Sequence, residues 1–236
     1  MPIFEKPRIL FLHIPKTGGT SVEQYFSNKY STRLNSESLF GNSYNSVRRM
    51  VINKMKNTIY TISLQHHTRI SLQHYTWKML QEHELIQNLT AYKIITIVRN
   101  PYNRIISELF YQKIITKDAT PEIIYSKIYN YLHVPNNSDF DNHRIPQYKF
   151  LIDENENIIK YVIILKTETL TSSMRKLGYT DFPEDKANAS VSVSDSDIHE
   201  YLNTNSVNLI NTYYQKDFEY FDYVKREPGK GNPGSL

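Results

Sequence analysis

The chain of 236 residues contains no cysteine. Disulfide bonds and thiolate metal sites are therefore excluded. No apolar run approaches the roughly 18 residues that a membrane-spanning helix needs. The first ten residues, MPIFEKPRIL, contain no apolar stretch typical of a signal peptide. These absences lead us to expect a soluble protein without a membrane span, located in the cytoplasm.

A strong charge imbalance is also missing. The formal net charge is only +4, which suits an anionic cofactor or acceptor but falls short of the basic surface of a nucleic-acid-binding protein. No internal repeat and no linker divides the chain, so we expect a single domain over residues 1–226. The glycine- and proline-rich end, residues 227–236, is expected to be a flexible tail or a cloning remnant.

Residues 8–26, RILFLHIPKTGGTSVEQYF, form the most informative stretch. The apolar run 9–14 predicts a buried strand, Pro15 ends it, and Val22, Tyr25 and Phe26 recur at helical spacing. A strand, a glycine-containing turn and a helix in that order direct backbone N–H groups at one point, where a phosphate binds well. The simpler alternative is a tight turn between two core elements. The candidate contacts to an anion are Lys16, Thr17, Gly18, Gly19, Thr20 and Ser21.

This loop is not a Walker A motif, because the lysine precedes the two glycines instead of following them. That order argues against an ordinary ATPase or GTPase. The nonamer HIPKTGGTS instead resembles the 5′-phosphosulfate loop of sulfotransferases that use 3′-phosphoadenosine 5′-phosphosulfate (PAPS). The likeness is greatest to the branch of the heparan sulfate 2-O- and 6-O-sulfotransferases and their microbial relatives.

A second motif, VRNPYNRIISELF, follows the apolar strand KIITIV of residues 93–98. Arg99 suits bidentate contact with phosphate, and Ser107 adds a hydroxyl donor. Taken alone, these residues could equally be an ion-pair partner and a polar residue of a helix face. The pattern R-x-P-x-x-R-x-x-S, however, resembles the 3′-phosphate site of the same family. The resemblance implies that Arg99 and Ser107 hold the 3′-phosphate, and that Arg104 braces the local structure through an ion pair.

Strands alternating with helices predict an α/β fold. We expect a P-loop-like three-layer arrangement with a central parallel sheet flanked by helices. Ligands bind beyond the carboxyl ends of such strands, so segments 16–21, 65–67 and 99–107 should meet at one edge. By resemblance, Asn188 and Ser190 should lie near the nucleotide. The pattern predicts further strands over residues 59–64 and 158–165, and helices over residues 70–89, 102–115, 122–132, 168–177 and 198–214.

Transfer of a sulfuryl group to a hydroxyl needs a base, and histidine is the natural candidate. Of the eight histidines, His67 is the predicted base and His66 the alternative, because both follow a strand that should end near the cofactor. His13 is expected to pack or hydrogen-bond locally, and His74 lies inside a predicted helix. No metal-binding motif accompanies the histidine pair, so no metal is expected.

The resemblance implies an enzyme that moves a sulfuryl group from PAPS to a hydroxyl acceptor by in-line displacement, leaving adenosine 3′,5′-bisphosphate. Lys16 would offset charge on the leaving phosphate. The acceptor is expected to be a saccharide, and the oligomeric state is not predicted. The alternatives are a nucleotide kinase or NTPase with an atypical phosphate loop, and a non-catalytic nucleotide-binding relative. Candidate acceptor-groove residues are Tyr102, Tyr111, Arg144 and Gln147.

Overall fold

The computed structural model describes residues 3–34, 70–86, 91–133, 141–184 and 198–227. The predicted strand 59–64 and four predicted site residues lie outside this part of the chain. Those four residues are His66, His67, Asn188 and Ser190.

A four-stranded sheet forms the centre of the described structure, in the order β1-β2-β3-β4. Strand β2 (Ile9–Leu12) pairs in parallel with β3 (Lys93–Val98), and β3 pairs in parallel with β4 (Val162–Lys166). The edge strand β1 (Ile3–Phe4) runs antiparallel to β2. The α/β prediction is confirmed, but the sheet is mixed and not wholly parallel.

The helices cover most of the segments in which the sequence pattern placed them. They are α1 (Gly19–Lys29), α2 (Trp77–Glu82), α3 (Pro101–Tyr111), α4 (Pro121–His133), α5 (Leu170–Lys176), α6 (Ile198–Tyr201), α7 (Thr204–Tyr213) and α8 (Gln215–Tyr220). Short 3₁₀ turns occupy Leu72–His74, Gln147–Phe150 and Thr167–Thr169. None of the helices within the described ranges has both the length and the apolarity that crossing a bilayer requires.

Two of the predicted long helices are wrong because side-chain caps start new helices inside them. In the segment 70–89, helix α2 begins only at Trp77, where the Thr76 hydroxyl accepts from the Met79 N–H at 3.2 Å. In the segment 198–214, Asn203 caps α7 by accepting from the Ser206 N–H at 3.0 Å. Each cap therefore marks the start of a separate helix, and the residues before it do not continue that helix.

The sheet buries both of its faces. Side chains of β2 alternate, so Phe11 packs in the cluster with α1 and α5 while Leu12 packs with α2 and Phe150. A third apolar cluster joins α3, α4 and α7. The parallel pairing of β2 with β3 places their carboxyl ends side by side, so the segments that follow these two strands start close together.

Candidate active site

The segment after β2 has the backbone of an anion-binding loop. Lys16 (φ 67°) and Gly18 (φ 88°) both adopt positive φ, which is uncommon for a lysine. Gly18 caps α1 without a side-chain hydrogen bond, and the first turn of α1 contains no acidic residue. No side chain of the described residues therefore caps this N-terminus, although the Ser21 N–H donates to the Gly18 carbonyl at 3.1 Å, and the end of the helix dipole is suited to the predicted anion.

Thr17 fixes the loop from inside. Its side chain is fully buried, and its hydroxyl donates to the Ile14 carbonyl at 2.8 Å. Its carbonyl accepts from the Thr167 hydroxyl at 2.6 Å. The Thr17 hydroxyl therefore donates its proton within the protein, and Thr17 can donate to an anion only through its backbone N–H.

Gly19 is required by a close approach and not by its φ angle. A Cβ built on Gly19 would lie 2.6 Å from two atoms of the His13 ring, Cδ2 and Nε2. His13 is held there by Glu23, whose Oε1 lies 2.6 Å from Nδ1, and both side chains are buried. The prediction that His13 packs and hydrogen-bonds locally is confirmed.

The two predicted phosphate motifs meet. The Arg99 guanidinium Nη1 lies 3.5 Å from the Lys16 carbonyl. The Gln147 side chain binds the Arg99 backbone. Its Oε1 accepts from the Arg99 N–H and its Nε2 donates to the Arg99 carbonyl, each at 2.8 Å. Ser107 lies on α3, partly exposed. Segments 16–21 and 99–107 therefore share one edge of the sheet, as predicted, while segment 65–67 lies outside the described residues.

Two of the residues proposed for an acceptor groove cannot line one. Gln147 and Tyr102 have no exposed surface. The backbone N–H of Gln147 also donates to Asp217 Oδ2 at 2.8 Å. The Tyr102 hydroxyl accepts from the Arg226 backbone N–H at 2.8 Å. These two residues stabilise the fold, and that part of the prediction is wrong.

Arg104 braces the site, although not in the predicted way. Its guanidinium donates to the carbonyls of Pro15 (3.0 Å), Ile145 (3.0 Å) and His143 (2.8 Å). In the described part of the chain these backbone contacts replace the predicted ion pair. Arg104 therefore joins the start of the anion loop to the segment that contains His143.

The Lys16 ammonium rests on an aromatic stack. Its Nζ lies 3.9 Å from the centre of the Tyr111 ring. Tyr111 stacks on His143 at 5.6 Å, and His143 Nδ1 lies 2.8 Å from Glu108 Oε2. Burial lowers the pKa of Lys16, the negative charge of Glu108 opposes this shift, and Arg99 adds to it. Glu108 thus favours the charged form of Lys16.

The pKa of Glu108 is lowered although the side chain is buried. Burial raises its pKa, but hydrogen bonds from His143 and Gln112 and the charge of Arg104 outweigh that effect, and the pKa is lowered overall. A buried carboxylate of this kind needs such partners. Nothing in the sequence pattern indicated this group, because a glutamate one turn before the end of a helix is ordinarily solvated.

His74 packs between two other histidines and lies outside the helix in which the sequence pattern placed it. Its Nδ1 lies 2.8 Å from Asp141 Oδ2, and its ring lies edge-on to both His13 (5.2 Å) and His143 (5.0 Å). Burial lowers the pKa of His74 to about 4, although Asp141 opposes the shift. Thr76 could have indicated this conformation from the sequence. Threonine is a good N-cap, and a helix capped at Thr76 begins after His74.

One group of side chains has the composition of a metal site. Among the described residues, His74, Asp141 and His143 each offer a ligand atom, and these atoms lie within 4.8 Å of one another. His74 Nδ1 is already bonded to Asp141, and His143 Nδ1 to Glu108. As it stands, the group contains two separate histidine–carboxylate pairs, His74 with Asp141 and His143 with Glu108, whose histidine rings pack edge-on at 5.0 Å.

Comparisons with known proteins agree with the geometry at the level of the family. Neither the curated proteins nor the solved structures include a match to this chain. A family model described as the sulfotransferase family matches residues 1–224, which is nearly the whole chain. The chain therefore belongs to the sulfotransferase family.

Proposed function

We propose that this protein transfers the sulfuryl group of PAPS to a hydroxyl group of an acceptor, and that the acceptor is a saccharide. Membership of the family supports sulfuryl transfer. The observation that carries the proposal further is the approach of Arg99 Nη1 to the Lys16 carbonyl at 3.5 Å. This contact brings together two motifs of the chain. They resemble the 5′- and 3′-phosphate sites of PAPS-dependent enzymes, which have a P-loop-like fold.

Each motif has a role in this proposal. Residues 16–21 and the N-terminus of α1 hold the 5′-phosphosulfate, while Arg99 and Ser107 hold the 3′-phosphate. Asn188 and Ser190 are assigned to the nucleotide by resemblance alone. The acceptor oxygen forms a bond to sulfur as the bond from sulfur to the 5′-phosphate oxygen breaks. Lys16 offsets the charge that collects on that oxygen, so the mechanism needs no metal.

The displacement also requires a base for the acceptor proton. The sequence assigns this role to His67 and, as the alternative, to His66. If His67 is the base, His67→Ala abolishes turnover while the affinity for nucleotide is retained. The same loss in His66→Ala and not in His67→Ala would reverse the assignment.

Titration calorimetry separates this function from its rivals. Adenosine 3′,5′-bisphosphate should bind more tightly than ATP, with no dependence on Mg²⁺. Lys16→Met should weaken binding of the bisphosphate by about ten- to a hundredfold, as expected for a charge-assisted contact. The matched control is Lys127→Met, which removes an exposed lysine of α4 and should change nothing. Preferential, Mg²⁺-dependent binding of ATP would instead indicate a kinase or NTPase, and binding without turnover a non-catalytic relative.

A further inference from the structure

We infer that Glu168 is a positioning residue for the 3′-phosphate site. Its carboxylate fixes the peptide that follows Arg99, and the C-terminal segment, residues 222–226, holds that carboxylate in place. The inference rests on the proposed function, because it concerns the contact between Arg99 and the nucleotide. It is founded on where Glu168 lies and on the groups from which its two oxygens accept.

The peptide between Arg99 and Asn100 is bound at both of its polar groups. Its carbonyl accepts from Gln147 Nε2 at 2.8 Å, and its N–H donates to Glu168 Oε1 at 2.8 Å. The carbonyl and the N–H of a planar trans peptide point in opposite directions, so the two contacts together fix the rotation of the peptide plane. That rotation sets the ψ angle of Arg99, and therefore the direction of its side chain relative to α3.

The two contacts of this peptide differ in their surroundings. Gln147 has no exposed surface, and its backbone N–H is bonded to the buried Asp217. Glu168 is exposed, and holding an exposed glutamate in one rotamer costs conformational entropy. The peptide is therefore restrained on this side only as well as Glu168 itself is restrained.

Glu168 is restrained through its carboxylate and through its backbone. The Tyr223 hydroxyl donates to Oε2 at 2.8 Å, while Oε1 accepts from the peptide after Arg99. The preceding residue, Thr167, donates through its hydroxyl to the carbonyls of Thr17 at 2.6 Å and Val98 at 3.1 Å. The turn that contains Glu168 is thus bonded to the anion loop and to the end of β3.

The C-terminal segment holds Tyr223 beside the end of β4. Lys166 Nζ lies 4.5 Å from the centre of the Tyr223 ring and donates to the Asp222 carbonyl at 3.4 Å. The Tyr223 N–H donates to the Phe218 carbonyl at 3.1 Å, and its ring packs against two of the apolar clusters. The position of the ring is therefore set by the fold, and its hydroxyl in turn orients Glu168.

The end of the C-terminal segment is attached to α3 itself. The Arg226 N–H donates to the Tyr102 hydroxyl at 2.8 Å, and the guanidinium carbon lies 4.7 Å from the centre of the same ring. Tyr102 follows the helix cap Asn100, whose side chain accepts from the Tyr102 N–H at 3.0 Å. The C-terminal segment thus restrains the start of α3 twice, through Tyr102 and through Glu168.

Glu168 cannot assist the nucleotide by its charge, because a carboxylate and a phosphate repel each other. Removing the charge alone should therefore not weaken binding, whereas removing the acceptor for the peptide N–H should weaken it. Glu168→Gln makes the first change and Glu168→Ala makes both.

The test compares two nucleotides by titration calorimetry with the full chain. Adenosine 5′-monophosphate differs from adenosine 3′,5′-bisphosphate by the 3′-phosphate, so the ratio of the two affinities reports on the 3′-phosphate site. Glu168→Ala should weaken binding of the bisphosphate by about three- to tenfold, as expected for the loss of one or two hydrogen bonds. Its affinity for the monophosphate, and both affinities of Glu168→Gln, should stay within about twofold of the wild type.

Tyr223→Phe tests the link to the C-terminal segment, because it removes the hydroxyl and keeps the ring. It should lower the affinity ratio by about two- to fivefold, and it should have no further effect in a Glu168→Ala background, since the hydroxyl acts through Glu168. Tyr201→Phe is the matched control. It removes a hydroxyl that donates to the Lys117 carbonyl at 3.3 Å, outside the proposed site, and should leave the ratio unchanged.

The outcomes distinguish the inference from the function on which it rests. If the wild type does not prefer the bisphosphate, or if Arg99→Met leaves the ratio unchanged, the proposed 3′-phosphate site fails and the inference fails with it. If Arg99→Met lowers the ratio but Glu168→Ala does not, or if Glu168→Gln loses as much as Glu168→Ala, the inference alone is wrong. If Glu168→Ala does not fold, Tyr223→Phe decides, and an unchanged ratio refutes the inference.

Discussion

Lys16 shows how single residues shape this site. A lysine at positive φ costs on the order of 1 kcal/mol, and the surrounding contacts must hold it there. Arg104 fixes the Pro15 carbonyl before it, and Thr167 fixes the Thr17 carbonyl after it. The strain therefore lies between two anchored carbonyls, beside the helix N-terminus that we assign to the phosphosulfate.

The contact between Gly19 and His13 gives a prediction at the same scale. Gly19→Ala should lower the free energy of unfolding by about 1–3 kcal/mol, because the new Cβ would lie 2.6 Å from the His13 ring. In a His13→Ala background, the same change should cost little, since alanine is otherwise favourable in a helix. Urea denaturation of the four variants measures this coupling. An equal cost in both backgrounds would show that the ring does not set the requirement for glycine.

The wrong prediction of a helix around His74 has a physical cause. The residues that hold it, Asp141 and Asn142, are 67 and 68 positions away in the chain. Local periodicity suggested a helix, but the chain is extended at Ser71, Tyr75 and Thr76. Tertiary hydrogen bonds decided the conformation, and a pattern within one segment does not reveal them. The motifs around Lys16 and Arg99, by contrast, are local and were visible in the sequence.

At the scale of elements, α3 organises the site. Arg104, Glu108 and Tyr111 are spaced four and three residues apart, which places them on one face of the helix. Ser107 lies beside them. The predicted helix, residues 102–115, is confirmed as far as Tyr111, because Pro101 marks its first turn and its apolar residues recur regularly. The sequence pattern thus predicted where the helix lies, while the partners of its polar residues could be identified only from the structure.

Arg104 should be the most sensitive position of α3. Arg104→Lys loses the planar group that reaches three carbonyls, and it should lower the free energy of unfolding by about 2 kcal/mol or more. The control is Arg175→Lys, whose ion pair with Glu184 is largely exposed and contributes about 0–1 kcal/mol. Urea denaturation measures both. Equal, small effects would mean that the carbonyl contacts do not stabilise the site.

At the scale of the whole molecule, the three parallel strands were predicted from their apolar runs, although the last of them, predicted over residues 158–165, begins only at Val162. The two-residue strand β1 was not, because so short a segment shows no alternation. Burial of both sheet faces explains why β2 is apolar throughout and why β3 is apolar except at Lys93, which is exposed, and Thr96, whose hydroxyl donates to the Leu12 carbonyl. The parallel pairing of β2 and β3 brings the loop after β2 and the helix after β3 together, which is the basis of the proposed nucleotide site.

Burial of neutral His74 makes the stability of the whole molecule depend on pH. Its pKa is about 4 in the fold against an ordinary 6.5, so between these values the unfolded chain binds a proton that the folded chain does not. The associated stability is fully present above about pH 6.5 and is lost as the pH falls towards 4, by about 3 kcal/mol.

Urea denaturation at pH 7 and at pH 4.5 tests this dependence. His74→Asn should lose less stability than the wild type over that interval. Asp141 does not contribute to the difference, because its pKa lies below its ordinary value of 3.8 and its contribution is lost only at lower pH. An identical loss in wild type and variant would contradict the assignment of a buried neutral imidazole.

The most direct test of the account is a crystal structure with adenosine 3′,5′-bisphosphate bound. We predict that the 5′-phosphate lies on the N–H groups of residues 16–21 within reach of Lys16 Nζ, and that the 3′-phosphate lies on Arg99 and Ser107. A nucleotide bound elsewhere, or one that leaves Lys16 and Arg99 facing different clefts, would contradict the account.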